Sequence, residues 1–313
     1  MLSYACRRVA ATIPVMGLVA LGVFSLLYLA PGDPAAIIAG DQATLQQVAA
    51  IRASLGLNQP FLVRFAHWLW QVIHGNLGIS VFTGQPVSVM ILQHTQPTLG
   101  LMVLTMVIAL SIAVPLGVLA AWKQGTWIDR AIMVFAVLGF SVPVFVMAYL
   151  LAWVFGLKLA ILPVQGFSPI SEGFWPFLGS LALPSAALGM IYVALLARIT
   201  RASMLDVLAQ DYVRTARAKG VGQTGVLFVH ALKNAANPVV TVAGLGVALL
   251  IGGTVVTETV FAIPGLGTLT ENAILQRDYP VIQGVVLLFS FVYVIINLVV
   301  DLLYTVFDPR IRL

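Results

Sequence analysis

A short basic segment near the middle of the chain carries the residues best suited to contact with a charged partner. The stretch DYVRTARAKGVG, residues 211–222, holds Arg214, Arg217 and Lys219 within six positions, with small side chains between them. Small side chains let another surface approach the backbone, and the cations would steer and orient that surface by charge complementarity. This composition favours docking of a protein partner, and contact with anionic lipid headgroups is the alternative.

The rest of the sequence lacks the residue patterns on which enzyme chemistry depends. The phosphate-binding pattern Gly-x4-Gly-Lys-Ser/Thr, the metalloprotease pattern His-Glu-x-x-His and the nucleophile turn Gly-x-Ser-x-Gly are all absent. The single cysteine, Cys6, excludes an intrachain disulfide and has no second cysteine with which to form a metal site. We therefore expect a chain that is not an enzyme, does not bind ATP itself and needs no cofactor.

The elements around the basic segment are those of a membrane protein. Hydrophobic residues make up 60% of the chain and charged residues 9%, whereas about a quarter of a soluble domain is charged. A helix needs about 20 apolar residues to cross a bilayer, whereas membrane-barrel strands are about half as long and alternate in polarity. The continuous apolar runs therefore predict an all-α polytopic membrane protein with six transmembrane helices. These runs are Val9–Ala30, Leu99–Trp122, Ala131–Leu157, Phe177–Ala197, Pro238–Ile263 and Val281–Val306.

The positive charges fall mainly on one side of the six predicted spans. With the N-terminus in the cytoplasm, 12 of the 16 cations are cytoplasmic, and those outside are Arg52, Arg64, Lys158 and Arg277. Because cytoplasmic loops of membrane proteins are enriched in Lys and Arg, we predict that both termini and the basic segment are cytoplasmic. This orientation explains the pI of about 9.6 without a nucleic-acid partner.

The order of the spans predicts four regions and a loop within the largest of them. The outer segment is aromatic, and Trp68 and Trp70 favour a position on the outer membrane face. Pro115, Pro143 and Pro184 fall in or beside the spans and predict kinks or breaks there. The regions are 1–30 (cytoplasmic N-terminus and first span), 31–96 (extracytoplasmic segment), 97–306 (core of five spans, including a cytoplasmic loop at 199–237) and 307–313 (cytoplasmic tail).

Within the cytoplasmic loop, the residues from Ser203 to Gly220 predict one helix. Ser203 and Asp206 are spaced like an N-terminal capping box, and Gly220 fits the residue just past a helix end. The apolar face of this predicted helix consists of Leu205, Leu208, Tyr212 and Ala216.

The basic segment, continued by HALKNAANPVV, resembles the cytoplasmic coupling loop of binding-protein-dependent ABC importer permeases. The general pattern of that loop is Glu-Ala-Ala-x-x-x-Gly. Ala216 and Gly220 fit this pattern, whereas Arg214 and Thr215 stand in place of its Glu and first Ala. Further stretches resemble the dipeptide, oligopeptide and nickel branch of the family, and its first-subunit dipeptide and glutathione permeases are the nearest in pattern. These stretches are APGDPAAIIAG, LGLNQP, GNLGIS, ETVFAIPGLGTLTENAILQRDYPVIQG and NLVVDLLYTVFDPRIR.

The resemblance implies a type I ABC importer permease fold that works within an assembly. The implied partners are a homologous second permease, two cytoplasmic ATPases and an extracytoplasmic solute-binding protein, in the lipid of a bacterial inner membrane. The implied cargo is a dipeptide, an oligopeptide or glutathione, and a nickel chelate is the alternative within the family. The residues expected to meet the ATPase are Asp211, Tyr212, Arg214, Ala216, Arg217, Lys219 and Gly220.

The fifth span supplies the remaining candidates, for the transport pathway or its outer gate. Gly252 and Gly253 either serve helix packing alone or line a flexible pathway. Glu258 lies near the outer end of the span, where a charge is expected to face protein or water rather than lipid. It could contact the binding protein, line the outer gate or pair with a cation such as Arg277.

Two other function classes make different demands on the sequence. An ion-coupled secondary transporter usually carries ionisable residues near the middle of its spans, and none of the six predicted spans does so. A membrane enzyme would need one of the catalytic patterns that are absent. The sequence therefore favours transport that takes its energy from a separate ATPase.

Overall fold

The computed structural model describes residues 2–29, 35–36, 43–54 and 56–307, which are mainly helical. Within these residues the β contact is an isolated antiparallel bridge between Ile79 and Pro86. In chain order the helices are α1 (Leu2–Leu29), α2 (Leu45–Ser54), α3 (Phe61–Ile73), α4 (Val87–Trp122), α5 (Trp127–Ser141), α6 (Val144–Leu151), α7 (Phe174–Leu208), α8 (Asp211–Ala218), α9 (Leu232–Gly253), α10 (Val255–Val260), α11 (Leu266–Gln276) and α12 (Tyr279–Phe307).

The chain divides into two compact units, and short π-helical and 3-10 pieces complete the helices. The first unit is Thr95–Thr268 with Ile295–Leu313, and the second is Leu2–His94 with Leu269–Val294. π-helical segments extend α6 and precede α9, and a 3-10 turn precedes α7. These three pieces are Ala152–Lys158, Gly225–Ala231 and Ile170–Glu172.

Five helices are long and apolar enough to cross a membrane, and a bent pair brings the number to six. The single helices are α1, α4, α7, the stretch Gly225–Gly253 that includes α9, and α12. The predicted third span is instead divided into Trp127–Ser141 and Val144–Lys158, which meet at a bend of 102°. The all-α polytopic fold is thus confirmed.

Pro143 accounts for the division of the third span. The residue before a proline is driven out of the helical region, and Val142 accordingly has an extended backbone with ψ of 123°. Pro143 then has no N–H to continue the hydrogen-bond ladder of α5. The predicted kink or break at Pro143 is confirmed, whereas Pro115 and Pro184, where the same effect was predicted, lie inside α4 and α7, which continue through them.

The predicted helix from Ser203 to Gly220 is also wrong in its start. Ser203 is buried inside α7, which continues to Leu208, so Ser203 does not cap a helix. The chain leaves the helical region at Gln210, whose ψ is 149°, and α8 begins at Asp211. The local capping pattern is overridden because burial within the long helix stabilises the helical backbone through Ser203.

The first unit owes part of its packing to a close approach of α4 and α7. A Cβ atom added at Gly117 would lie 2.5 Å from the Thr200 Cβ and 2.7 Å from the Ala197 carbonyl oxygen. Only glycine therefore fits at this contact. Next to it lies a buried apolar cluster from α4, α7 and the start of the fifth span: Val118, Ala121, Met204, Leu227, Ala231 and Ala235.

In the second unit, α3 packs against α1 through aromatic side chains. The ring of Phe24 lies 5.4 Å from that of Phe61, 5.5 Å from that of Phe65 and 5.2 Å from that of Trp68, measured between centroids. The Arg64 guanidinium lies 5.6 Å from the centroid of the Phe24 ring. Aromatic pairs at these distances add to the stability from buried area, so α3 is held against the first span.

Candidate functional site

Helix α8 separates the basic segment into an inner and an outer face. Val213 and Ala216 point inward, and only 9% of Ala216 is exposed. Arg214, Arg217 and Lys219 are all exposed. A three-residue spacing puts Val213 and Ala216 on one side of a helix, and the three cations lie on its exposed sides or just past its end.

Tyr212 links α8 to the beginning of the fifth span. Its hydroxyl oxygen accepts a hydrogen bond of 2.8 Å from the Asn234 side-chain amide, and its hydroxyl lies 3.4 Å from the His230 carbonyl oxygen. The same Asn234 amide donates to that carbonyl at 3.0 Å. Because 43% of Tyr212 is still exposed, its side chain is accessible while its hydroxyl is bonded to the fifth span.

The end of α8 follows the sequence prediction. Gly220 has φ of +83°, a backbone conformation that glycine adopts at little cost, and its N–H donates to the Arg217 carbonyl oxygen at 3.0 Å. Nothing lies within 4 Å of a Cβ added at Gly220. The side of the chain at Gly220 is therefore open.

The structure exposes six of the seven predicted docking residues. Asp211 is exposed at the start of α8 and forms an ion pair of 3.2 Å with Arg214. Ala216 is the exception, because its side chain is buried within the chain itself and cannot be presented to a partner. The surface formed by Tyr212, Arg214, Arg217, Lys219 and Gly220 is called the α8 surface below.

An ion pair that the sequence reasoning missed lies near the end of α7, which leads to α8. Arg201 Nε donates to Asp129 Oδ1 at 2.6 Å, and its Nη2 donates to Oδ2 at 2.8 Å. The N–H of Gly125 donates to the same carboxylate at 3.0 Å. This arrangement, called the Arg201 pair below, connects the turn between α4 and α5 to α7. The sequence carried one signal for this pair: Asp129 lies in the first turn of α5, directly after a turn that contains Gly125.

Within the described residues, the fifth span has one exposed face. Leu245, Leu249, Gly252, Gly253 and Val256 are exposed, and nothing lies within 4 Å of a Cβ added at either glycine. Their spacing of three or four residues places them on one helical face, called the α9–α10 face below. Gly246 lies on another side of the same helix, where an added Cβ atom would lie 2.9 Å from the Tyr192 ring.

Glu258 lies on α10 and is fully buried. Its Oε1 accepts a hydrogen bond of 2.7 Å from the Thr98 hydroxyl, and its Oε2 accepts one of 2.9 Å from the Thr268 N–H. The Thr98 oxygen in turn accepts a hydrogen bond of 2.7 Å from the Leu266 N–H. These four residues are called the Glu258 cluster. The Glu258 carboxylate is thus bonded to the Thr98 hydroxyl and the Thr268 N–H, whereas the sequence had suggested a cation such as Arg277 as its partner.

A search of the described residues finds no group of three or more His, Cys, Asp or Glu side chains that could hold a metal ion. The described part of the first unit contains the α8 surface, the Arg201 pair, the α9–α10 face and the Glu258 cluster.

Comparisons with known proteins cover the whole chain. A family model described as "Binding-protein-dependent transport system inner membrane component" matches residues 113–313, and the N-terminal model of binding-protein-dependent transport system membrane components matches residues 1–113. A Sinorhizobium fredii protein named "Probable peptide ABC transporter permease protein" is 53% identical over 99% of both chains. A glutathione transport system permease protein of Salmonella choleraesuis is 43% identical over 100% of this chain and 99% of its own.

A solved structure agrees on the fold. A chain of the MetNI methionine ABC transporter in an inward-facing conformation superposes with a TM-score of 0.58 at 16% identity. The match covers 70% of this chain and 96% of that chain.

Proposed function

The chain belongs to the family of binding-protein-dependent transport system inner membrane components, and on that premise we propose that it imports peptides. It is a multi-pass permease subunit of an ABC importer. In the proposal it forms one half of the transport pathway, and a homologous second permease forms the other half. The full-length relative named as a peptide permease, at 53% identity, is the observation that carries the peptide assignment.

The energy for transport comes from partners. The chain has no phosphate-binding loop, so two cytoplasmic ATPases hydrolyse ATP and an extracytoplasmic solute-binding protein delivers the cargo. The α8 surface is where we place contact with an ATPase, because its cations are exposed and its inner face is anchored. Movement of α8 would reach the fifth span through Tyr212 and Asn234, whose side chains are hydrogen-bonded.

The α9–α10 face is the proposed pathway lining, with Gly252 and Gly253 at its centre. An apolar helix face that its own chain leaves uncovered must meet lipid, a second permease or the cargo, and glycine permits the closest approach of backbone. The cargo is a short peptide: a dipeptide, an oligopeptide or glutathione. A nickel chelate is the alternative, and binding of nickel by the cognate binding protein would favour it.

Uptake by the reconstituted importer tests this proposal. The chain, its second permease and its ATPases are placed in proteoliposomes, and ATP-dependent uptake of labelled di- and tripeptides is measured with and without the binding protein. Uptake that needs both ATP and the binding protein is expected. Uptake driven by an ion gradient in the absence of ATPase would support a secondary transporter and overturn the proposal.

Charge reversal tests the α8 surface separately. Arg214→Glu with Arg217→Glu should weaken ATPase capture and uptake, because opposite charges orient the docked surfaces. Lys158→Glu, which reverses an exposed cation at the far end of the third span, is the matched control. Equal ATPase capture by both variants at low and high salt would contradict docking at α8.

The orientation of the chain is tested by thiol labelling in intact cells. Gln46, Glu172 and Gln223 are exposed, and single cysteines replace them in a Cys6→Ser background. An impermeant reagent should label the first two positions from outside and Gln223 only after permeabilisation. External labelling at Gln223 would place the α8 surface outside the cell and exclude an ATPase contact there.

A further inference from the structure

The Glu258 cluster joins three helices at one end of the first unit. Thr98 belongs to α4, Glu258 to α10, and Leu266 and Thr268 to the first turn of α11. Both carboxylate oxygens accept a hydrogen bond, and one of these bonds comes from a backbone N–H that helix α11 itself leaves unpaired. Among the described residues, the carboxylate is held by these hydroxyl and amide donors and not by a cation.

Two glycines make room for this carboxylate. A Cβ at Gly267 would lie 2.7 Å from Glu258 Oε2 and 2.8 Å from the Val255 Cα, and a Cβ at Gly265 would overlap the carboxylate. Real Cβ atoms do not approach other atoms so closely, because interiors are already close-packed. The motif PGLGT at 264–268 is therefore shaped around the Glu258 side chain.

The cluster lies on the opposite side of the helix from the α9–α10 face. Val256 is exposed, whereas Thr254, Thr257 and Glu258 are fully buried. The break between α9 and α10 falls at Thr254, directly after the two glycines that have open space around them. The short helix α10 packs against α6 and α7, and the cluster adds hydrogen bonds that tie it to α4 and to the start of α11.

We propose that Glu258 is a positioning residue that fixes the orientation of α10, and with it the outer part of the α9–α10 face. Its effect on uptake rests on the proposed transport function, whereas its effect on the burial of α10 does not. The carboxylate holds α10 to α4 and α11 through its two oxygens. Glutamine could keep both contacts only by reversing one of them: its NH2 group would donate to the Thr98 oxygen, and the Thr98 hydroxyl hydrogen would lose the carboxylate as its acceptor.

The test combines a transport assay with a burial assay in the full importer. Thr257 is fully buried and its hydroxyl has no hydrogen-bond partner, so Thr257→Cys in a Cys6→Ser background gives a protected thiol as the reporter. Glu258→Gln and Thr98→Val disrupt the cluster. Thr98→Ser keeps the hydroxyl, and Gly179→Ala, whose Cβ meets nothing within 4 Å, is the control for substitution elsewhere.

Glu258→Gln and Thr98→Val should each reduce uptake about tenfold, as expected from leaving buried donors or acceptors unpaired, and should make the reporter thiol reactive. ATPase capture should be retained, and Thr98→Ser and Gly179→Ala should behave as the parent. Normal uptake in these variants would overturn the proposal, whether or not the thiol becomes reactive. Lost uptake with a thiol that stays protected would also overturn it. Should Glu258→Gln fail to assemble, Thr98→Val decides, and failure of both to assemble would mean a folding role only.

A parent importer without ATP-dependent peptide uptake would contradict the proposed function. The thiol reactivity of the variants would still test the positioning of α10.

Discussion

Two buried carboxylates, Asp129 on α5 and Glu258 on α10, are stabilised in different ways. In the Arg201 pair, Asp129 is neutralised by a guanidinium through two hydrogen bonds of 2.6 and 2.8 Å. In the Glu258 cluster, the carboxylate is fully buried and is held by a hydroxyl and a backbone N–H. Both solutions satisfy the rule that buried polar groups need partners.

The difference concerns which atoms carry the contact. The Arg201 pair joins two side chains, and 26% of the Arg201 side chain is exposed, so water can reach it. Such a pair can separate and re-form as helices move. The Glu258 cluster depends on backbone N–H groups. It also depends on Gly265 and Gly267, where a Cβ atom would collide with the Glu258 carboxylate. We infer that the Arg201 pair is suited to movement of helices and the Glu258 cluster to fixed geometry.

The largest loss of stability is expected from Asp129→Ala. Removing one partner of a buried ion pair leaves the other charge uncompensated, which typically costs several kcal/mol, and we expect about 2–3 kcal/mol because Arg201 is partly exposed. The free energy of unfolding in detergent measures this. The swap Asp129→Arg with Arg201→Asp should recover less than half, since the Gly125 N–H would then face a cation. Full recovery of the free energy of unfolding would mean that the Gly125 N–H contributes nothing to the stability of the pair.

A smaller loss is expected from Gly117→Ala, at the contact of α4 with α7. The added methyl group would meet the Ala197 carbonyl oxygen and the Thr200 Cβ, and overpacking of this kind costs about 1–3 kcal/mol. The unfolding assay is compared with Gly179→Ala, which has free space. An equal stability of the two variants would show that α4 and α7 can separate without cost.

Tyr212→Phe should have a smaller effect on stability and a clearer one on coupling. It removes the hydroxyl that accepts from Asn234, worth about 0.5–1.5 kcal/mol when buried and less at this exposed position. We expect ATPase capture to persist while the ratio of uptake to ATP hydrolysis falls about threefold or more. Tyr149→Phe, on the exposed side of α6, is the control and should leave that ratio unchanged.

The smallest effect on stability is expected from Arg214→Gln. Exposed ion pairs such as Asp211 with Arg214 contribute about 0–0.5 kcal/mol, so the free energy of unfolding should hardly change. ATPase association should instead become slower and less dependent on salt, because screening acts on exposed charges. An unchanged salt dependence of the association rate would argue that Arg214 does not face the ATPase.

Local rules in the sequence predicted the features that depend on neighbouring residues. Apolar runs predicted the spans, Pro143 predicted a break, and Gly220 predicted the end of α8. The contacts that organise the first unit could not be predicted, because Asp129 and Arg201 are 72 residues apart and Thr98 and Glu258 are 160 apart. Ser203 shows the opposite error, in which a valid local pattern is overridden by burial in a longer helix.

The candidate site was predicted in part for the same reason. The basic residues of α8 were evident from composition, and their exposure follows from the inward position of Val213. Ala216 was placed on the apolar face and also among the residues that meet the ATPase, and its burial agrees with the first placement. The predicted face continued to Leu205 and Leu208, which belong to α7, and it omitted Val213, the fully buried residue of α8. A face assignment needs the correct helix start, which only the packing of the chain determines.

The bend at Pro143 has a consequence for the surrounding lipid. Trp127–Ser141 contains 15 residues, which gives a length of about 22 Å, less than the roughly 30 Å of a bilayer hydrocarbon core. Val144–Lys158 is equally short and leaves at 102°, so neither arm crosses alone. Exposed aromatic side chains, Phe135, Phe140 and Phe145, surround the bend. We therefore expect the lipid next to the bend to be thinner than around a straight span, and transport to depend on acyl-chain length.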